Sequence, residues 1–273
     1  MNLPVLIESA EHKYKQILEE FFISIFDTKV LISHGIDHHR RVWAYAKDLI
    51  TYMDPVHSSI QTPDPEKLII TCYLHDIGLA IDPGINHGHL SRQLCIKFFD
   101  SNGLNSVDYE DVLYAIENHD SKDYGPSIKT NDLLAILSAS DDLDAFGFTG
   151  IYRYTEIYLT RGIDTGKIGY MIKENALKRF NHIVKIFGYI DSLIQKHKLK
   201  YEILVNFFDE YNRQVISYRF GGQRLEGYCG VVELLIQLIN NNKELKKFYT
   251  EIDEFHSDHV IRWFFDGLKS EIL

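Results

Sequence analysis

The sequence predicts an all-α fold, a helical bundle with a C-terminal helical extension, and three observations predict it. Apolar residues recur at spacings of three and four along most of the chain. Only six prolines occur in 273 residues, four of them between Asp54 and Pro83, so long stretches are free of the ring that breaks the helical ladder. With 45% hydrophobic and 25% charged residues, the composition is that of a globular chain with ample material for a core. No fixed-period repeat or low-complexity stretch is present, which favours one helical core over residues 1–200 and an extension over 201–273 packed on it.

The elements follow in order. Ile17, Leu18, Phe21, Phe22 and Ile25 mark one face of a helix over 9–27, and Val42, Tyr45, Ala46 and Leu49 one over 38–53. Residues 54–66 are polar and proline-bearing, a loop ending in Asp64–Pro65, which reads as an N-cap with proline at the first helical position. Residues 67–80 are apolar nearly all round, as a buried central helix requires, and a second loop with Pro83 and Gly84 follows at 82–87. Helices are expected at 88–101, 107–119, 130–145 and 147–161, with turns at Asn102–Gly103 and Gly125–Pro126. Two long helices over 170–219, broken near His197, come next. The glycine-bearing stretch 219–230 reads as a linker, Gly221–Gly222 as a turn, and amphipathic segments at 231–242 and 244–270 close the chain.

Charge and cysteine content narrow the function. With 29 Lys and Arg against 39 Asp and Glu the net charge is −10, which argues against a general nucleic-acid or anionic-membrane binder. Three cysteines without a CxxC pair form neither a disulfide framework nor a cysteine zinc site. The N-terminal residues lack a signal-peptide core and no apolar run is long enough to span a membrane, so a cytoplasmic location is expected. Of 13 histidines, nine precede residue 120. Histidine binds metals and moves protons near neutral pH, so chemistry is expected in that half.

Three clusters stand out. His75-Asp76 ends the apolar 67–80 segment, where two polar side chains are costly unless something binds them. Neighbouring helix positions diverge by about 100°, so both can reach one point only from a helix end, which Gly78 is placed to supply. A helix cap accounts for the pair as well as a divalent metal does. Asp37 reads as an N-cap with His38 in the first turn behind it, and Arg41 follows His38 on the same face, able to pair with a carboxylate or an anionic substrate group. His39 and Arg40 read as a solvated helix start. Asp141, Asp142 and Asp144 arrive where the buried run Leu133–Leu137 should continue, and an inward carboxylate there needs an arginine or a metal. Elsewhere, His89 and His57 read as surface residues, Cys72 as core, and His256 and His259 as part of an amphipathic helix. No glycine-rich phosphate loop occurs.

Together these residues resemble the H…HD…D signature of the HD-domain superfamily of metal-dependent phosphohydrolases, in its small stand-alone bacterial branch. HGIDHHRRVW (34–43) resembles HDxxHxxRV, TCYLHDIG (71–78) resembles AxxLHDIG, and His87 with Ser91 fits HxxxS. Ala115-Ile116 with His119 fits AIxxH, and residues 140–153, ending in Arg153, fit ADRLDALGxxGxxR. The resemblance covers roughly residues 10–200. Two departures stand in it: Ala139 and Asp142 replace an aspartate and an arginine, and Asp120 replaces a serine.

The resemblance implies His38, His75, Asp76 and Asp141 as metal ligands, with His87 and His119 serving a second ion or the substrate phosphate. It implies a phosphoester substrate, a nucleotide or related small phosphorylated metabolite, and a divalent ion among Mn, Fe, Co, Ni, Zn and Mg. Asp76 is expected to serve both as ligand and as acceptor of a proton from water, and Arg41, Arg153, His87 and His119 to contact the phosphoryl group. Two alternatives stand beside this: a di-iron oxygenase of the same fold, and a non-catalytic domain that binds a nucleotide or partner. The aromatic C-terminal segments fit a pocket wall or a homodimer interface equally well.

Overall fold

A proline at the first helical position and an aspartate before it start the central helix as expected. Asp64 accepts a hydrogen bond from the Glu66 amide at 2.9 Å, Pro65 opens the helix, and every residue from Leu68 to Leu74 is buried. The computed structural model describes residues 2–26, 31–56, 62–121, 132–222, 225–241 and 258–272, with the backbone alone for 54–56. The expected turn at Gly125–Pro126, His57, His256 and residues 244–257 of the last amphipathic segment lie outside them.

The described residues are helical and contain no strand. In chain order the helices are α1 (Leu3–Phe26), α2 (Ile36–Val56), α3 (Pro65–Leu74), α4 (His87–Ser101), α5 (Glu110–Asn118), α6 (Leu133–Asp144), α7 (Gly147–Thr160), α8 (Thr165–Phe187), α9 (Asp191–Gln214), α10 (Gly227–Asn240) and α11 (His259–Ile272). Short 3-10 turns occupy 32–34, 77–80 and 106–109. The chain groups into two units. The first comprises 1–30, 34–144 and 183–193, and the second 31–33, 145–182 and 194–273. This grouping differs from a boundary at residue 200, because α7 packs with α10 and α11 and so joins the C-terminal helices.

In the first unit α3 is the axis. It packs against α1, α2, α5 and α6, which is why it is apolar on every side, while α2 lies along α6 and α4 along α5. In the second unit, Glu156 of α7 accepts hydrogen bonds from the Ile32 and Ser33 amides and from the Ser33 hydroxyl. Glu271 of α11 accepts from the Thr149 amide at 2.8 Å, placing a carboxylate at the start of α7 where the helix dipole favours it.

Several expectations need correction. Asp37 lies inside the first turn of α2, where it pairs with Arg40 at 2.9 Å. His39 is buried rather than solvated: its ring lies against Phe22, and its Nδ1–H points at the Cys72 carbonyl, 3.3 Å away. Arg40 is exposed, as expected, and pairs also with Glu19. The break expected near His197 falls instead at Gly188–Ile190, since a histidine has no helix-breaking chemistry whereas Gly188 follows the end of α8 and Asp191 opens α9. The three cysteines are buried free thiols.

His197 sits inside α9, fully buried, and burial together with the charges of Lys200 and Lys196 pulls its pKa down to about 3. A histidine depressed in the folded state stays neutral while the unfolded chain takes up a proton, so stability falls as pH drops through 6.5 towards 3. Replacing it should flatten that slope by up to about 1.4 kcal/mol per pH unit. Urea denaturation of wild type and His197→Leu between pH 7 and 4 tests this; parallel pH profiles would refute it.

Candidate metal centre

The first unit brings together side chains from five elements. His38 comes from α2, His75 and Asp76 from the end of α3, His87 from the start of α4, His119 from the end of α5 and Asp141 from α6. One ligand-type atom from each of His38, His75, Asp76 and Asp141 lies within 4.8 Å of the others, and all four side chains are buried. Asp76, His87 and His119 form a second such group, so Asp76 belongs to both.

Local backbone geometry makes the sharing feasible. His75 still has helical angles, but Asp76 leaves the helix at φ −107°, ψ 7°, and the chain tightens into the 77–80 turn. The adjacent side chains then converge, with His75 Nε2 3.4 Å from Asp76 Oδ2. Gly78 lets this turn sit against α4: its amide donates to Ser91 Oγ at 2.8 Å, and a Cβ there would lie 2.7 Å from the Ser91 backbone nitrogen. Gly88 plays the same part between α4 and α5, where a Cβ would meet the Glu117 carbonyl oxygen at 2.6 Å. These two close approaches bring His87 and His119 to Asp76.

Asp76 faces two ways. Its Oδ2 is 3.4 Å from His75 Nε2 and 3.6 Å from His38 Nε2, while Oδ1 is 2.9 Å from His119 Nε2 and 3.5 Å from His87 Nε2. Asp141 Oδ1 lies 3.7 Å from His38 Nε2. The other ring nitrogens are occupied. His75, His87 and His119 each place Nδ1 at 2.7–2.9 Å from the carbonyl three residues back, of Cys72, Gly84 and Ile116. His38 Nδ1 is 2.8 Å from Asp144 Oδ2. With Nδ1–H donated to each oxygen, His38 and His75 turn Nε2 lone pairs inward, whereas His119 Nε2 meets Asp76 Oδ1 in a hydrogen bond.

The fit to a cation follows from one contact. His38 and His75 present Nε2 atoms 3.2 Å apart, and with both Nδ1 protons engaged neither nitrogen has a proton for the other. Two lone pairs and two carboxylates converging in a buried space suit a divalent ion, and an imidazole–carboxylate set is one that first-row divalent metals accept. Titration behaviour reflects the crowding. Burial would raise Asp76, yet His75, His119 and His38 hold it well below the usual carboxylate range. Burial lowers His119, but its bond to Asp76 and the charges of Asp76, Asp120 and Asp141 push it up to about 9. His75 is pulled down by burial against the opposing pull of Asp76.

Not every expected residue joins the cluster. Arg41 directs Nε and Nη2 onto Asp144 at 2.7 and 3.0 Å, taking the carboxylate rather than the substrate option. Arg153 is buried on α7 in the second unit. His89 is on the surface, as the sequence predicts, and pairs with Glu117. The sequence names Asp144 only as one of three carboxylates that would need an arginine or a metal if inward; the signal that picks it out is its i,i+3 spacing from Asp141, matching that of Arg41 from His38.

A methyl group at residue 78 would press on backbone of α4, so Gly78→Ala should lower stability by about 1–3 kcal/mol, as overpacking does. Thermal denaturation checks it, and an unchanged melting temperature would show that the turn can move away from α4.

Residues 35–145 match the family model described as HD domain, a stretch that contains His38, Arg41, His75, Asp76, His87, His119, Asp141 and Asp144. No curated protein and no solved structure matches the chain. Among the described residues no helix is long and apolar enough to cross a membrane. HD domains are typically metal-dependent phosphohydrolases, and the buried histidine–aspartate cluster is consistent with a divalent ion. The match over residues 35–145 is consistent with an HD-domain superfamily member.

Proposed function

We propose that this protein hydrolyses a phosphoester of a small phosphorylated metabolite, a nucleotide or a close relative, at a divalent ion held by His38, His75, Asp76 and Asp141. The observation that carries the reading is the convergence of those four buried side chains inside the HD domain. When bound, such an ion lowers the pKa of water from ~15.7 towards ~7 and polarises a phosphoryl oxygen.

The chain's own groups supply the rest. His38 and His75 offer neutral Nε2 donors, and Asp76 and Asp141 offset the charge. Asp76 Oδ1, on the side away from His38, accepts a proton or hydrogen bond from the attacking water. His119 holds a proton between Nε2 and Asp76 Oδ1, and with His87 it can donate to phosphoryl oxygens as charge builds there. A net charge of −10 favours a small phosphorylated substrate over a polyanion.

Sharing of Asp76 between two groups of potential ligands also supports a second ion, held by Asp76, His87 and His119, and with it an oxygenase reading in which iron held by both groups would supply O₂ chemistry. Elemental analysis of the purified protein, a phosphate-release screen over nucleotides, and an O₂ electrode after iron loading separate the readings. Phosphate release without O₂ uptake is expected. Asp76→Ala should lower bound metal and cut phosphate release by about a hundredfold or more, with helical content retained by circular dichroism. An unchanged rate in that variant would reject the hydrolase mechanism.

A further inference from the structure

The four histidines of the cluster differ in what holds them. His75, His87 and His119 each lean on the backbone carbonyl three residues earlier, so their ring orientation is built into their own turn of chain. His38 has no such support. It lies within the first turn of α2, where the carbonyl three residues back, that of Gly35, accepts the His38 backbone amide at 2.9 Å. Its Nδ1 reaches across to α6 and meets Asp144 Oδ2 at 2.8 Å.

Asp144 is an expensive residue in this place. Its side chain is fully buried at the C-terminal end of α6, where the helix dipole disfavours a negative charge, and Asp141 and Asp142 are buried close by in the chain. Arg41 offsets that cost with Nε on Oδ1 and Nη2 on Oδ2, a two-point grip that fixes the plane of the carboxylate. The register is that of two packed helices: His38 and Arg41 are one turn apart on α2, and Asp141 and Asp144 one turn apart on α6. One turn faces the ligand cluster and the next holds the support.

From this geometry we infer that Asp144 is a positioning residue, which, clamped by Arg41, keeps His38 in the tautomer with the proton on Nδ1 and its Nε2 lone pair aimed at the metal position. Arg41 therefore acts two steps from the metal, through Asp144 and His38, and its guanidinium is a buttress rather than a substrate contact. The inference rests on the proposed metal site. Asparagine at 144 would turn an amide towards Nδ1, able to donate as well as accept, and would release the imidazole to the other tautomer.

Titration of the metal-free protein with Co(II), followed by its visible absorption, provides the test. Asp144→Asn should bind Co(II) about 10- to 100-fold more weakly than wild type. In a His38→Ala background the same substitution should change affinity by less than twofold, because its effect passes through His38. Equal weakening in both backgrounds, or none in the wild-type background, would overturn the inference. Wild-type protein that bound no Co(II) would instead remove the metal site on which it rests. Should Asp144→Asn fail to fold, the tautomer can be read in wild type by long-range proton–nitrogen correlation of the Zn(II)-loaded protein. A proton on His38 Nδ1 is the expected result, and a proton on Nε2 would refute the proposal.

Discussion

Burying ionisable groups inside a helical unit is the constraint around which the first unit is organised. Four imidazoles and the carboxylates of Asp76, Asp141 and Asp144 sit in the same interior, nearly all of them shielded from water. An unpaired buried charge costs several kcal/mol, so each group needs a partner of opposite charge or a hydrogen bond in place. The partners are identifiable: carbonyls of Cys72, Gly84 and Ile116 for three histidines, Asp144 for the fourth, and Arg41 for Asp144. After those pairings, what remains is a set of inward lone pairs and carboxylate oxygens that repel one another. A cation removes the repulsion, and the rest of the unit, with α3 apolar on every side, supplies the stability against which that repulsion is held.

Much of this was legible in the sequence, and the parts that were not share a cause. Helix positions followed from apolar spacing, and the Asp64–Pro65 start from the chemistry of a helix N-terminus, because both are local. His38, His75, Asp76 and Asp141 were legible as a set through the family's motif order, and the structure brings their side chains together. Burial of His39 and His197 was not legible, since histidine is compatible with core and surface alike and only packing decides. The role of Asp144 was hidden because it depends on how α2 is rotated against α6, a tertiary fact absent from either helix alone. Arg41 was read as facing either a carboxylate or a substrate group for the same reason. The grouping of 145–182 with the C-terminal helices follows from the packing of α7 with α10 and α11, which no composition shift marks.

Adjacency of His75 and Asp76 is a stronger statement about the backbone than about the metal. In a continuing helix the two side chains would diverge by about 100°, and one of them would be lost to the site. Their joint use therefore requires α3 to stop between them, which it does: His75 keeps helical angles and Asp76 does not. Stopping a helix in an apolar interior leaves carbonyls in need of partners, and two are met at once, by the His75 ring on Cys72 and by the Leu79 amide on Asp76. The tight turn that results must lie against α4, which only a residue without a Cβ permits at position 78. Helix end, glycine and ligand pair are thus a single device: removing any one of them removes the geometric reason for the other two.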